Sequence, residues 1–129
     1  MPLSKPSAIG HLEKARTSVQ LYRQLKAEGI LLGWAVTALF YAAMHLVQAQ
    51  FVEEATTGFD IPHNHPDRDF AVSRRLPKVY LSYSFLYTRS QWARYHVDKP
   101  DPTPDQIRRY EEDHFRPIEK AMQVLDVVL

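Results

Sequence analysis

From Ile30 to Val52 the chain carries no charged side chain, and its residues are mostly good helix formers. A helix that is apolar all round is expected to be enclosed by others rather than to lie on a surface. Along one line of it fall Ala35, Ala38, Ala42, Ala49 and His45, with Leu39, Leu46 and Val52 beside them. Small residues at that spacing let a neighbouring backbone approach closely. Upstream, Ile9, Leu12, Ala15, Val19 and Tyr22 recur every three or four residues, which predicts an amphipathic first helix capped by Ser4 or Ser7 and stopped at Gly29. Thr56-Thr57-Gly58 marks the exit from the second helix.

The pattern changes between Phe59 and Arg68, where Pro62, Asn64, Pro66 and several polar side chains predict a loop containing His63 and His65. Pro66 suits the first turn of a short helix toward Arg75, with His65 as its cap, and Pro77 starts the next helix. On that next helix Val79, Tyr83, Leu86, Ser90 and Ala93 follow one face, flanked by Tyr80, Tyr87 and Arg94. Lys99-Pro100-Asp101-Pro102 is a stiff connector. Thr103 with Gln106 three residues later fits a capping box with Pro104 at the first helical position, so a last helix follows, with Ile107, Tyr110, His114, Ile118, Ala121, Met122 and Leu125 toward the core. Short joints between helices imply antiparallel neighbours. The expected fold is all-α, a single domain over residues 1–129, built as an up-and-down bundle of four long antiparallel helices plus a short helix after the His-rich loop.

Composition narrows the functional classes. A chain of 129 residues with 45% hydrophobic and 24% charged residues has the make-up of an ordinary globular domain. A net charge of +1 argues against a strong sequence-independent pull on nucleic acid, and the lack of cysteine excludes disulfides and thiolate metal sites. The Ile30–Val52 run is long enough to cross a bilayer, but Thr37, His45, Gln48 and Gln50 would each bring a polar group into lipid, so no membrane partner is expected. No apolar secretory segment precedes Gly10, and the expected location is cytoplasmic.

Three groups of residues carry candidate chemistry. His63-Asn64-His65-Pro66-Asp67 holds two imidazoles and a carboxylate, a metal-like set that needs His45, His96 or His114 to complete it. The bland alternative, loop and cap residues, outweighs it, and no cofactor is expected. His45 and His114 lie on faces that must meet other helices, where an imidazole either satisfies a core partner or lines a cleft. Finally Arg89-Ser90-Gln91-Trp92-Ala93-Arg94-Tyr95-His96 places two guanidinium groups, a phenol and an imidazole near a helix end. Arginine grips phosphate with two parallel hydrogen bonds and histidine moves protons, so this stretch suits phosphate binding or phosphoryl chemistry.

From Ala35 to Leu125 the layout resembles the HEPN (higher eukaryotes and prokaryotes nucleotide-binding) superfamily of small helical bundles found in bacterial and archaeal defence and toxin systems. Phe40-Tyr41-Ala42-Ala43-Met44-His45 is similar to the Tyr-Tyr-Ala-Ala-Phe-His pattern in the second helix of many members. His65 stands where a loop histidine precedes the third helix, and Arg89 through His96 fall where the family carries an Arg-x4-6-His ribonuclease motif or a degenerate version of it.

The resemblance implies a nucleotide- or RNA-binding module, using His45, His65, Arg94 and Tyr95, that associates as a homodimer or with a partner protein such as a nucleotidyltransferase. Ser90 in place of the usual polar residue after the motif arginine, together with the near-neutral charge, favours a non-catalytic member. The alternative it implies is a metal-independent RNA endonuclease in which Arg89 and His96 act across a dimer cleft. Arg109 with His114 satisfies the same spacing later in the chain.

Overall fold

Gly29 takes a left-handed conformation (φ 69°) and its N–H caps the carbonyls of Leu25 and Lys26, which ends the first helix where the sequence expects it. The computed structural model describes residues 3–122 and 129 and contains α1 (Pro6–Glu28), α2 (Leu32–Glu54), α3 (His65–Arg75), α4 (Tyr80–Tyr95), α5 (Pro104–Tyr110) and α6 (Arg116–Ala121). Short 3-10 turns lie at Gly58–Asp60 and Pro77–Val79, and a π turn at Glu111–Phe115 joins α5 to α6. Every regular element among the described residues is helical. Leu125, expected on the core side of the last helix, lies outside them.

The first two helices form an antiparallel hairpin in which Ser4 meets Glu53 and His11 meets His45. Their free ends cap one another. The Glu53 carboxylate accepts from the N–H groups of Ser4 and Lys5, while Lys5 Nζ donates to the carbonyls of Val52 and Ala55 at the end of α2. The N-cap of α1 is therefore Lys5, which makes no side-chain cap of its own, and neither Ser4 nor Ser7 caps the helix. A carboxylate from the neighbouring helix does that work.

Helix α2 is the central rod. It packs on α1, α4 and α5, and Ala35, Ala38, Ala42, Leu39, Leu46, Val47 and Phe51 are buried. Among the described residues, the one helix long and apolar enough to cross a membrane is thus a core helix, with 83% of its most apolar window buried inside the protein. Around it Val19, Tyr22, Tyr83, Leu86, Ile107, Phe115, Ile118 and Met122 complete the core. Ile9, at the edge of the α1 stripe, stays exposed, and Ala8 is buried. In α4 the buried face runs Tyr83, Leu86 and Ser90, and Ala93 closes against Gly33.

A further local expectation needs correction. Asn64, not His65, caps α3: its side-chain oxygen accepts from the Asp67 N–H, and His65 is the first helical residue. The last helix runs from Pro104 to Ala121 with a π turn inside it. Pro117 has no N–H to donate, and its ring would clash with the carbonyl one turn back, so the chain widens into the π turn before α6 resumes. The capping box of Thr103 and Gln106 forms as expected.

Candidate functional site

Tyr83, Tyr87, Ser90 and Arg94 are spaced four, three and four residues apart, which places them on one side of α4 facing α2 and the start of α3. There the Arg94 guanidinium donates to the Tyr41 hydroxyl at 2.9 Å and to the carbonyl and hydroxyl oxygens of Ser90 at 3.3 Å. It also lies 5.4 Å from the Tyr41 ring centre and 5.3 Å from that of Tyr95. His65, projecting from the first turn of α3, stacks on Tyr87 with ring centres 3.7 Å apart and planes 14° from parallel. Tyr87 is held in turn by Phe40 of the central helix.

One turn further along α2 the seam continues. Arg68 of α3 donates to the Gln48 amide oxygen at 2.8 Å, and Gln48 anchors the loop by donating to the Pro62 carbonyl at 2.7 Å. His45 meets His11 of α1, with the two Nδ1 atoms 3.0 Å apart. The Tyr83 hydroxyl is wholly buried beside Arg68. Burial pushes that phenol up to about 12, against the opposing pull of Arg68.

The electrostatics of this seam are one-sided. Burial lowers the pKa of His65; Asp69 opposes the shift, while Arg68 and Arg94 add to it. Burial also lowers His45, to about 4, with further depression from His11, Lys14 and Arg68. His11 is lowered by burial, Lys14 and Arg68. Burial is the largest cause of all three shifts, and the neighbouring cations add to it.

Four other arginines meet carboxylates: Arg75 with Glu54, Arg108 with Asp105 and Glu112, Arg109 with Asp105, and Arg116 with Glu111 and Glu119. Arg68 and Arg94 have only neutral partners among the described residues.

Of the residues singled out in the sequence, His45 meets His11, His65 stacks on Tyr87, and Arg94 lies between Tyr41 and the exposed Tyr95. Arg89 points elsewhere. Its guanidinium lies 3.9 Å from the Trp92 ring centre and 4.7 Å from that of Phe85, at a cavity of about 100 Å³ bounded by Val36, Pro100, Pro102 and Tyr110. His96 is the exposed residue that closes α4, and it makes no hydrogen bond, ion pair or ring contact with Arg89. His114 stacks on Phe85 at 3.9 Å and its Nδ1 lies 3.2 Å from Ser82 Oγ, whereas Arg109 pairs with Asp105.

No group of three or more metal-ligating side chains occurs among the described residues. His63 lies in the exposed loop by Phe59, away from the His11–His45 pair. Although two imidazole nitrogens 3.0 Å apart resemble a metal bite, the flanking Lys14 and Arg68 repel a cation.

Sequence reasoning missed His11, Arg68, Gln48 and Tyr41 as site residues. The signal present was the Tyr41–His45 spacing of four, which puts both on one face of α2, and the position of His11 beside Leu12 at the edge of the α1 core stripe. No family model matches this chain, and no curated protein matches it.

Proposed function

We propose that the protein is a non-catalytic, HEPN-like helical-bundle module that binds the phosphate groups of a nucleotide or RNA in the seam between α2, α3 and α4. The observation that carries this reading is the pair of half-buried guanidinium groups, Arg68 and Arg94, each held by neutral hydrogen-bond partners and by no carboxylate among the described residues. Tyr41 and Tyr95 add aromatic surface beside the Arg94 charge, which suits base stacking. The resemblance in the second helix and the His65 position supports an up-and-down bundle of the HEPN kind, working in the cytoplasm of a bacterial or archaeal defence or toxin–antitoxin system. Exposed Trp34, Phe59 and Phe70 offer apolar area for a homodimer or for a partner such as a nucleotidyltransferase.

Fluorescence anisotropy with a labelled single-stranded RNA, and competition by ATP, tests the reading. Arg94→Gln and Arg68→Gln should each weaken binding by tenfold or more, and Arg108→Gln should leave it unchanged. Equal binding by all three variants, or none by the parent protein, would refute it.

The ribonuclease alternative rests on a separate observation, the Arg89 guanidinium that also lacks a carboxylate partner among the described residues while His96 stands exposed at the end of α4. It requires chelator-resistant RNA cleavage that Arg89→Ala and His96→Ala both abolish.

A further inference from the structure

The seam has a second end that the reading above does not use. His11 and His45 face each other through their Nδ1 atoms at 3.0 Å, on two different helices, and both rings are half-buried. Between two neutral imidazoles this contact is a single N–H···N hydrogen bond in which one ring donates and the other accepts. The charges that reach the pair are Lys14 on α1 and Arg68 on α3, and no carboxylate from α1, α2, α3 or α4 acts on either ring. Arg68 is fixed to α2 by its 2.8 Å hydrogen bond to Gln48, three residues beyond His45, and its charge also acts on His65. On α2 the two ends are marked by Tyr41 and His45, one helical turn apart, which is a rise of about 6 Å.

We propose that His11, His45, Lys14 and Arg68 form a second phosphate subsite, one turn along α2 from the Arg94 subsite, and that it takes up a proton when the anion binds. The proposal rests on the phosphate-binding reading of the seam and names its ligand more closely: a molecule with two neighbouring phosphate groups, either a nucleoside diphosphate or a short RNA, rather than a monophosphate.

The proton has a definite place to go. When the donor ring of the pair gains a proton on its Nε2 it becomes an imidazolium whose Nδ1–H still donates to its partner, so the contact between α1 and α2 is kept. A second proton would need the accepting Nδ1 and would set two N–H groups against each other, so uptake stops at one per pair. In the free protein Lys14, Arg68 and partial burial oppose even the first proton. A phosphate beside these groups reverses the sign of the local field and brings the first protonation into the neutral range.

Calorimetric titration of AMP, ADP and a six-nucleotide RNA at pH 6.5, in buffers of different ionisation enthalpy, tests this. ADP and the RNA should bind at least tenfold more tightly than AMP and with uptake of about one proton, and AMP should bind without uptake. His11→Gln, which keeps a hydrogen-bonding group for His45, should remove the uptake and bring ADP down toward AMP. Lys14→Ala, at an exposed position that carries no folding risk, should weaken ADP and leave AMP unchanged, whereas Arg94→Gln should weaken all three ligands. Equal affinities for AMP and ADP, or ADP binding without proton uptake, would overturn the second subsite while leaving the Arg94 seam standing. Failure of all three ligands to bind would overturn both.

Discussion

The Arg94 guanidinium and the Tyr41 hydroxyl meet at 2.9 Å across the contact between α4 and α2, joining the two helices at the mouth of the seam. A neutral phenol is an adequate acceptor for holding an arginine in place and a poor one for neutralising it. The arrangement orients the charge without consuming it.

Tyr41→Phe removes that acceptor and leaves the ring. The loss of one charge-assisted hydrogen bond at a half-buried site is expected to cost about 1 kcal/mol, a fall of a few degrees in Tm for a chain of this size. Thermal unfolding followed by circular dichroism checks this. If the seam binds phosphate, the RNA affinity of the variant should also drop, because Arg94 loses its fixed orientation.

The histidines make stability depend on pH in a definite direction. Folded His45 sits at about 4 and folded His11 and His65 also lie below the ordinary value near 6.5, so between those limits the unfolded chain binds more protons than the folded one. Stability therefore rises with pH through this window and is lost as pH falls from about 6.5 toward 4. Allowing for solvent screening of partly exposed rings, the His45 share is roughly 1–2 kcal/mol. Urea midpoints at pH 7 and pH 5 should differ accordingly, and His45→Gln should reduce the difference.

Leu31 is the one non-glycine residue among those described with a left-handed backbone (φ 54°), and its side chain is largely exposed. An L-residue there carries about 1 kcal/mol of steric cost that glycine does not. Leu31→Gly should therefore raise Tm by a few degrees, and a fall in Tm would show that the side chain contributes more than its exposure suggests.

Leu39 is fully buried in the central helix. Leu39→Ala should cost about 2–5 kcal/mol through lost burial and the cavity left behind. Chemical denaturation should show the shift in midpoint with little change in slope.

Much of the helical layout was legible because its signals are local. The charge-free span from Ile30 to Val52, the stop at Gly29 and the Thr103–Gln106 box each act within a few residues of where they are written, and each forms as the sequence predicts. What depended on another element was not legible. Glu53 caps α1 from 48 residues away in the chain, a role that no inspection of Ser4 or Ser7 reveals. The π turn in the last helix was local and readable, since Pro117 states it, but helical periodicity on either side masked it.

The same division holds for the site. His45, His65, Arg94 and Tyr95 stood out by residue type and spacing. His11 and Arg68 did not, because a lone histidine on α1 and an arginine in a short helix gain meaning only when packing sets them beside α2. Arg89 and His96 show the converse. They are seven positions apart in sequence, yet α4 turns one toward the Trp92 and Phe85 rings and ends at the other.

The π turn before Pro117 has a bearing on how the carboxyl-terminal part of the chain tolerates length changes. A π turn holds one residue more than an α turn, so the surplus is absorbed locally and Ile118 and Met122 keep their phase toward the core. Deleting a single residue from Glu111–Phe115 would leave an ordinary α turn with both side chains still facing inward, whereas deleting two would rotate them by about 100° and turn them out to water. One residue can be lost at this spot without a phase error, and a second cannot.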